Sequence, residues 1–436
     1  MSTMQGWPGV RPRRAATVRS MAGVPVASEA SALRRVFPTA QRWKEHTAMG
    51  SCPWVRLRHT WVVMPLFTVL SLLLVSCSLQ GSEPDGRGVP EFAVVSGADG
   101  IAVTNGQWIE RVPGLSASRL SAGPEAVGLD ATSAAVVASE AVAVVRPHEP
   151  AVRVACADCA GIAATNEFVA ATRKNFTPGE GFDIVLFTHD LTPSRTVPAQ
   201  RLEERGSTDV PAENTESPIT LAADADRVTV GYLSRLGSAR RGPSILAQYD
   251  YDGRLLDSVF VDGLIGRSAV SPNGRYLALG VDGSGGACIT VSEPAVIDLE
   301  SLNVRMIDPA IPSGVTVDSA SLSDPWFMLT DLAWQEGTLL ATGEVHNPAP
   351  GETCDPEPQM WQRSFDPATG RLNDYGDLAA RAIRWIGPDC EHLLAVTRQW
   401  EGAGLVRTTY GPEQRLGSYD RINLGRSMPP ECRATS

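Results

Sequence analysis

The chain has 436 residues, 43% hydrophobic and 20% charged, and a net charge of −11. Its charge is divided: residues 1–60 hold ten Lys/Arg against two Asp/Glu, a net +8, which leaves −19 to the remainder. A body that acidic cannot neutralise phosphates, which excludes nucleic acid as a partner, and its acidity suits the solubility of a surface-exposed domain.

In chain order, residues 1–48 are rich in Arg, Ala, Ser and Pro and show no sustained apolar period. They read as a mis-called or disordered extension, because Met49 offers a second start. Residues 49–76 have the plan of a signal peptide: Arg56 and Arg58, then an uncharged run from Trp61 to Val75, too short for the ~20 residues of a spanning helix. Leu74-Val75-Ser76-Cys77 closes that run. The four residues resemble a bacterial lipobox, which implies cleavage before Cys77, lipidation of Cys77 and a lipid anchor on the extracytoplasmic side of the cell membrane. Residues 77–90 read as a flexible tether.

Residues 91–436 show short strand signals broken by Gly, Asn, Asp and Pro, with no 3.6-residue period of helix length. They are also self-similar. The sharpest unit is Ala269-Val-Ser-Pro-Asn-Gly-Arg-Tyr-Leu-Ala-Leu-Gly280, a strand end, a tight turn and an alternating strand. Weaker copies start at Val95, Gly128, Ala163, Ala222, Trp334 and Trp385, which makes seven, and most are followed by a second hairpin such as Tyr249-Asp-Tyr-Asp-Gly-Arg-Leu. Two hairpins make four antiparallel strands, the content of one propeller blade. The Ser-Pro-Asn-Gly-Arg-Tyr-Leu-Ala string resembles the turn of WD-like propeller repeats of the Tol-system type. The expected fold is therefore all-β, a propeller of seven four-stranded blades by its copies, with a pair of β-sandwiches as the competing architecture. The first two copies stand only about 33 residues apart, tight for four strands, so six or eight blades stay open. Small residues in the copied strands (Ala134, Ala135, Ala163, Ala164, Ala278) suit a crowded centre.

In a four-strand meander the first and third turns share one end, and the second turn shares the other with the link to the next blade. The first and third turns are tight. The opposite connections (173–182, 234–243, 281–292 and 343–359 within blades, 192–218 and 308–323 between them) are long, and long loops on a rigid scaffold concentrate binding residues. The long-loop face and the channel mouth are thus the expected functional surface, and removal of 193–216 is expected to be tolerated. Arg173, Lys174, Arg235, Arg240 and Arg241 fall in matching loops of the third and fourth blades as a candidate anion-binding cluster, with solvated arginines as the plain alternative.

Beside Cys77, residues 91–436 hold Cys156, Cys159, Cys288, Cys354, Cys390 and Cys432, an even set that suits disulfides in an exported chain and allows 15 pairings. Cys156-Ala-Asp-Cys159 reads as a local structural bridge, since no helix N-terminus is present to make a redox motif. Shared connections pair Cys288 with Cys354, and the tail's Cys432 falls to Cys390.

No metal-binding histidine spacing, nucleophile elbow or phosphate-cradling loop occurs, so no metal, cofactor or catalytic residue is assigned. Asp250 and Asp252 belong to a hairpin turn rather than to a calcium site. The expected role is a binding or assembly module for a protein or envelope component. The alternative is an extracytoplasmic hydrolase or dehydrogenase acting on a sugar-like or lactone substrate in the channel.

Overall fold

The computed structural model describes residues 91–424, apart from 118–122, 175–180, 201, 203–217, 233–243, 285–289, 308–325, 336, 347–358, 370–371, 378–381, 387–391, 400–401 and 409–413. Every regular element in it is a β-strand. The first blade takes β1 (Ala93–Gly97), β2 (Gly100–Thr104) and β3 (Ile109–Arg111). The second holds β4 (Ala126–Gly128), β5 (Ala134–Val137), β6 (Ala141–Val145) and β7 (Val152–Ala155). Next come β8 (Cys159–Ala164), β9 (Val169–Lys174), β10 (Phe182–Phe187) and β11 (Pro193–Pro198), then β12 (Ile219–Ala223), β13 (Arg227–Tyr232), β14 (Ser244–Asp250) and β15 (Leu255–Val261). The fifth blade holds β16 (Leu264–Val270), β17 (Tyr276–Ser284), β18 (Thr290–Asp298) and β19 (Asn303–Met306). The sixth holds β20 (Trp326–Gln335), β21 (Thr338–His346), β22 (Gln359–Phe365) and β23 (Leu372–Asp377). The last holds β24 (Ala382–Ile386), β25 (His392–Gln399), β26 (Gly402–Thr408) and β27 (Gln414–Gly417), and β28 (Arg421–Leu424) follows it.

Within each blade the strands pair antiparallel in chain order, with one exception that closes the molecule. β28 pairs antiparallel with β1, so the C-terminal strand completes a sheet whose other three strands are N-terminal. Among the described residues this gives seven four-stranded meanders. The first strand of each meander lies innermost. Successive innermost strands touch from β28 through β4, β8, β12, β16 and β20, and β24 touches β28. Arg384 of β24 completes the circuit by bonding Asp331 of β20. A closed ring of radially packed antiparallel sheets is a β-propeller.

The reason for radial packing is in the burial. A four-stranded sheet with two apolar faces must cover both, and here each face meets the next blade. Val142 and Val144 pack with Ile162, Val169 and Phe187 across one blade boundary. Ile184 packs with Val228, Val230 and Tyr249 across the next, and Leu246 and Val261 with Leu277 and Ile297 across a third. The closing blade does the same, with Ala93, Val95 and Tyr419 against Leu394 and Val396.

The closure also explains the tight spacing of the first two sequence copies. The Val95 copy is the β1–β2 turn, the second turn of its meander, whereas the other six copies are first turns. The first blade needs only three strands from this end of the chain. Of the small residues expected at the centre, only Ala163 and Ala164 lie on an innermost strand; Ala134, Ala135 and Ala278 lie on second strands, buried between blades.

Two predicted connections contain strand. β17 and β18 stay paired to Ser284↔Thr290, so most of 281–292 belongs to a ladder. β11 occupies 193–198 inside the predicted 192–218 link and pairs with β10, so a cut of 193–216 removes an outer strand as well as a connection. The sequence hides β11 because prolines bound it. Proline is tolerated on an edge strand, where one side of the ladder faces solvent.

The tight turns are built from acidic side chains that accept backbone N–H groups. Asp224 takes those of Asp226 and Arg227, Asp250 those of Asp252 and Arg254, and Asp298 those of Glu300 and Ser301. At Asp366 the Thr369 hydroxyl and the N–H groups of Thr369 and Ala368 hold the carboxyl below its ordinary value. In the Ser271–Gly274 turn, Ser271 Oγ accepts the N–H of Tyr276 at 2.8 Å and Gly274 takes φ 65°, a region that suits glycine.

Candidate functional site

Five of the innermost strands carry an extra residue, or two against one, where they pair with the second strand of their blade. These are Asn423 in β28, Gly161 and Ile162 in β8, Leu221 in β12, Gly266 and Arg267 in β16, and Thr330 in β20. A bulge turns a side chain that regular pleating would send between blades. At three of the five places the polar residue in or beside the bulge (Asn423, Arg267, Asp331) joins a charged constellation at the centre of the ring. At a fourth, Gly161 lets β8 approach β12: it has φ 67°, and a Cβ there would stand 2.1 Å from the carbonyl oxygen of Thr220.

Glu125, just before β4, is the hub of one half. Its Oε2 accepts from Ser96 Oγ at 2.7 Å and from Asn423 Nδ2 at 3.2 Å, while Arg421 donates to Oε1. Asn423 Nδ2 also reaches Ser96 Oγ at 2.8 Å. One carboxylate thus joins β1, β4 and β28, which is where the ring closes. Burial pushes the Glu125 carboxyl above its ordinary value, against the attraction of Arg421 and the Ser96 hydrogen bond. The other half is Asp331, whose two oxygens receive the two Nη groups of Arg384, one of them at 3.1 Å; Arg384 also donates to the Leu332 carbonyl at 3.2 Å. Both side chains are 7% exposed.

Arg267 stands between the halves. The charged groups that act on it most are Asp331 of β20, Arg421 of β28, Asp420 beside that strand, and Glu125 beside β4. A residue on β16 meets all of them only from the channel. Burial holds its guanidinium below the ordinary value, against the pull of Asp331.

A raised carboxyl pKa works on stability in a defined direction. The folded state holds the Glu125 proton more tightly than the unfolded chain, so its contribution is fully present below the unfolded pKa and is lost as pH rises through the folded one. Thermal unfolding of wild type and Glu125→Gln at about pH 4 and pH 7 is expected to show the wild type's relative stability falling with pH. An equal difference at both pH values would contradict this reading.

A separate buried group lies in the sixth blade. His346 Nε2 is 3.3 Å from Glu344 Oε2, and its ring stacks on Trp326 with centroids 5.1 Å apart and planes 3° from parallel. No group of three or more His, Cys, Asp or Glu among the described residues is arranged to hold a metal ion.

The residues singled out in the sequence fare unevenly. Cys156 and Cys159 form a disulfide with Cα atoms 5.5 Å apart, both buried, Cys156 in the link from β7 and Cys159 at the start of β8. Asp158 beside it takes φ 62°. Arg173, on β9 and opposite Asp183, is bound to that carboxylate at 2.7 Å, which neutralises it locally. Lys174 ends the same strand. Cys77, Cys288, Cys354, Cys390, Cys432, Arg235, Arg240 and Arg241 lie outside the described residues, as does the apolar run 61–75. The channel constellation was missed because its members are scattered from Ser96 to Asn423, and no spacing links them. The only local signals are an Arg after Gly266 and an Asp after Thr330, in strands that otherwise read as apolar.

No family model and no curated protein matches the chain. Solved structures do resemble it. The β-propeller domain of the Trilobed protease from Pyrococcus furiosus, of open velcro topology, is similar at a TM-score of 0.44 and 12% identity, over 77% of this chain and 98% of that one. A putative 6-phosphogluconolactonase from Bacteroides fragilis is similar at 0.42 and 10% identity, over 76% and 95%. A protein of unknown function from Bacteroides caccae reaches 0.35 and 16% identity, over 66% and 92%. These neighbours include enzymes and a protein of unknown function, and at such scores they carry no argument about activity. The chain is an all-β propeller, on the evidence of its own strand order.

Proposed function

We propose that this chain is a lipid-anchored extracytoplasmic propeller that serves as a binding and assembly module, presenting its long-loop face and channel mouth to a protein or envelope component. The observation that carries the choice of binding over catalysis is the state of the buried channel carboxylates. Glu125 and Asp331 are each engaged by an arginine and each joins neighbouring innermost strands, so they act as fasteners of the ring. An acid–base pair for hydrolysis needs at least one carboxyl free to reach a substrate. The lipid anchor is supported by Leu74-Val75-Ser76-Cys77 and its apolar run.

The second reading, a hydrolase or dehydrogenase acting on a sugar-like or lactone substrate, is favoured by one feature: the raised carboxyl of Glu125 is of the kind found in active sites. Its three donors weigh against it. The test uses the full chain expressed in bacteria, with in-cell crosslinking and membrane fractionation. Wild type is expected in the membrane fraction, crosslinked to a defined envelope species, and Cys77→Ser is expected to lose both fractionation and crosslink. Membrane association that survives Cys77→Ser would overturn the lipid anchor, and the absence of any saturable crosslink would overturn the binding role.

A further inference from the structure

Among the described residues, one guanidinium of the channel has no bonded partner in the fold. Arg421 is spent on Glu125, and Arg384 on Asp331 and Leu332. Arg267 makes no hydrogen bond and no ion pair among the described residues, although Asp331 and Glu125 are among its nearest charges. The reason is that those two carboxylates already face other arginines. Asp420, a further acid acting on Arg267, is exposed, with its backbone N–H given to Ser96. Arg267 also keeps accessible surface while standing deep within the ring, as a side chain does when it lines an internal opening.

Its presentation is built into the backbone. Gly266 and Arg267 form the bulge of β16, opposite the single residue Gly280 of β17. A Cβ at Gly280 would stand 2.8 Å from Leu329 Cδ2 and 3.5 Å from the Arg267 nitrogen, so the crowded partner position takes a residue without a side chain. The Gly266 carbonyl is held in turn by the N–H of Gly123, from the link between the first two blades, at 3.3 Å. The strand is thus pinned on both sides of the bulge that aims Arg267.

We infer that Arg267 is the anchor of a carboxylate-binding site in the central channel, taking a small molecule that carries a single carboxylate. A planar guanidinium fork matches a carboxylate with two parallel hydrogen bonds. Charge decides between anions. With Glu125–Arg421 and Asp331–Arg384 each paired, Arg267 leaves one positive charge to be met, and Asp420 stands near enough to oppose a dianion such as phosphate. This inference rests on the channel mouth being the functional surface, but it requires no macromolecular partner.

The experiment is calorimetric titration of the full chain with glucuronate, with neutral glucose and inorganic phosphate as parallel arms, on wild type, Arg267→Lys and Arg267→Met. Wild type is expected to bind glucuronate, not glucose, and to bind phosphate more weakly. Arg267→Met is expected to weaken glucuronate by at least about ten-fold, as loss of charge-assisted bonds does, and Arg267→Lys to fall between. The thermal midpoint of Arg267→Met is expected to stay the same or rise, because removing an unpaired enclosed charge leaves no partner stranded. A clear fall in that midpoint would assign Arg267 to the fold and overturn the site. So would equal affinity for glucuronate and glucose, tighter binding of phosphate, or absence of heat with every probe. Glucuronate binding without an envelope crosslink would sink the assembly role and leave this site standing.

Discussion

A chain ending at residue 418 is expected to fail to fold as a cooperative unit. That truncation removes Tyr419 and Ile422, which are 1% and 3% exposed and pack against Ala93, Val95 and Leu394. Losses of this kind cost about 3–5 kcal/mol for a large aromatic and about 2–5 kcal/mol for an isoleucine. The cut also strips Glu125 of Arg421 and Asn423, leaving a buried carboxylate with Ser96 as its remaining side-chain donor, and it exposes the inner edge of β1. The sum is comparable with the whole stability of an ordinary domain, about 5–15 kcal/mol. Circular dichroism melting and limited proteolysis would read the outcome. A truncated chain that melts cooperatively near the wild-type temperature would show that β28 does not hold the ring.

Breaking Asp331–Arg384 is the second large effect. Either Arg384→Ala or Asp331→Ala is expected to destabilise by about 3–5 kcal/mol, because each strands a buried partner, whereas replacing both with apolar residues of similar volume is expected to cost far less. Chemical unfolding of the two single variants and the double variant closes the cycle. Additive losses would mean that the pair does not couple β20 to β24. The contrast with Arg267→Met is deliberate: all three arginines lie in one channel, yet two are needed by the fold and one is not.

The first turns and third turns were legible because their chemistry is local. Ser271, Asn273 and Gly274 specify a turn within a few residues, and Asp224, Asp250, Asp298 and Asp366 each cap their own hairpin. The same habit gives part of the acidity a structural role, beyond the solubility first read into it. The Cys156–Cys159 bridge was equally legible, three residues being within reach. β11 was not, because Pro193 and Pro198 speak against a strand unless one knows it lies at an edge. The Val95 copy was found but its turn was not identified, since a hairpin sequence does not say whether its strands are first and second or second and third.

What the sequence determined by itself was whatever depends on neighbours along the chain: strands, tight turns and the short Cys156–Cys159 bridge. The tertiary structure alone decided which residues share a space. Closure by β28 brings Arg421 and Asn423 to Ser96 and Glu125, some three hundred positions away, and bulges in three innermost strands help turn polar side chains toward the axis. Ring closure and side-chain direction are set by packing each sheet against the next, and that packing has no period in the sequence. The state of Arg267 is therefore a property of the closed ring, fixed only once Arg421 has met Glu125 and Arg384 has met Asp331.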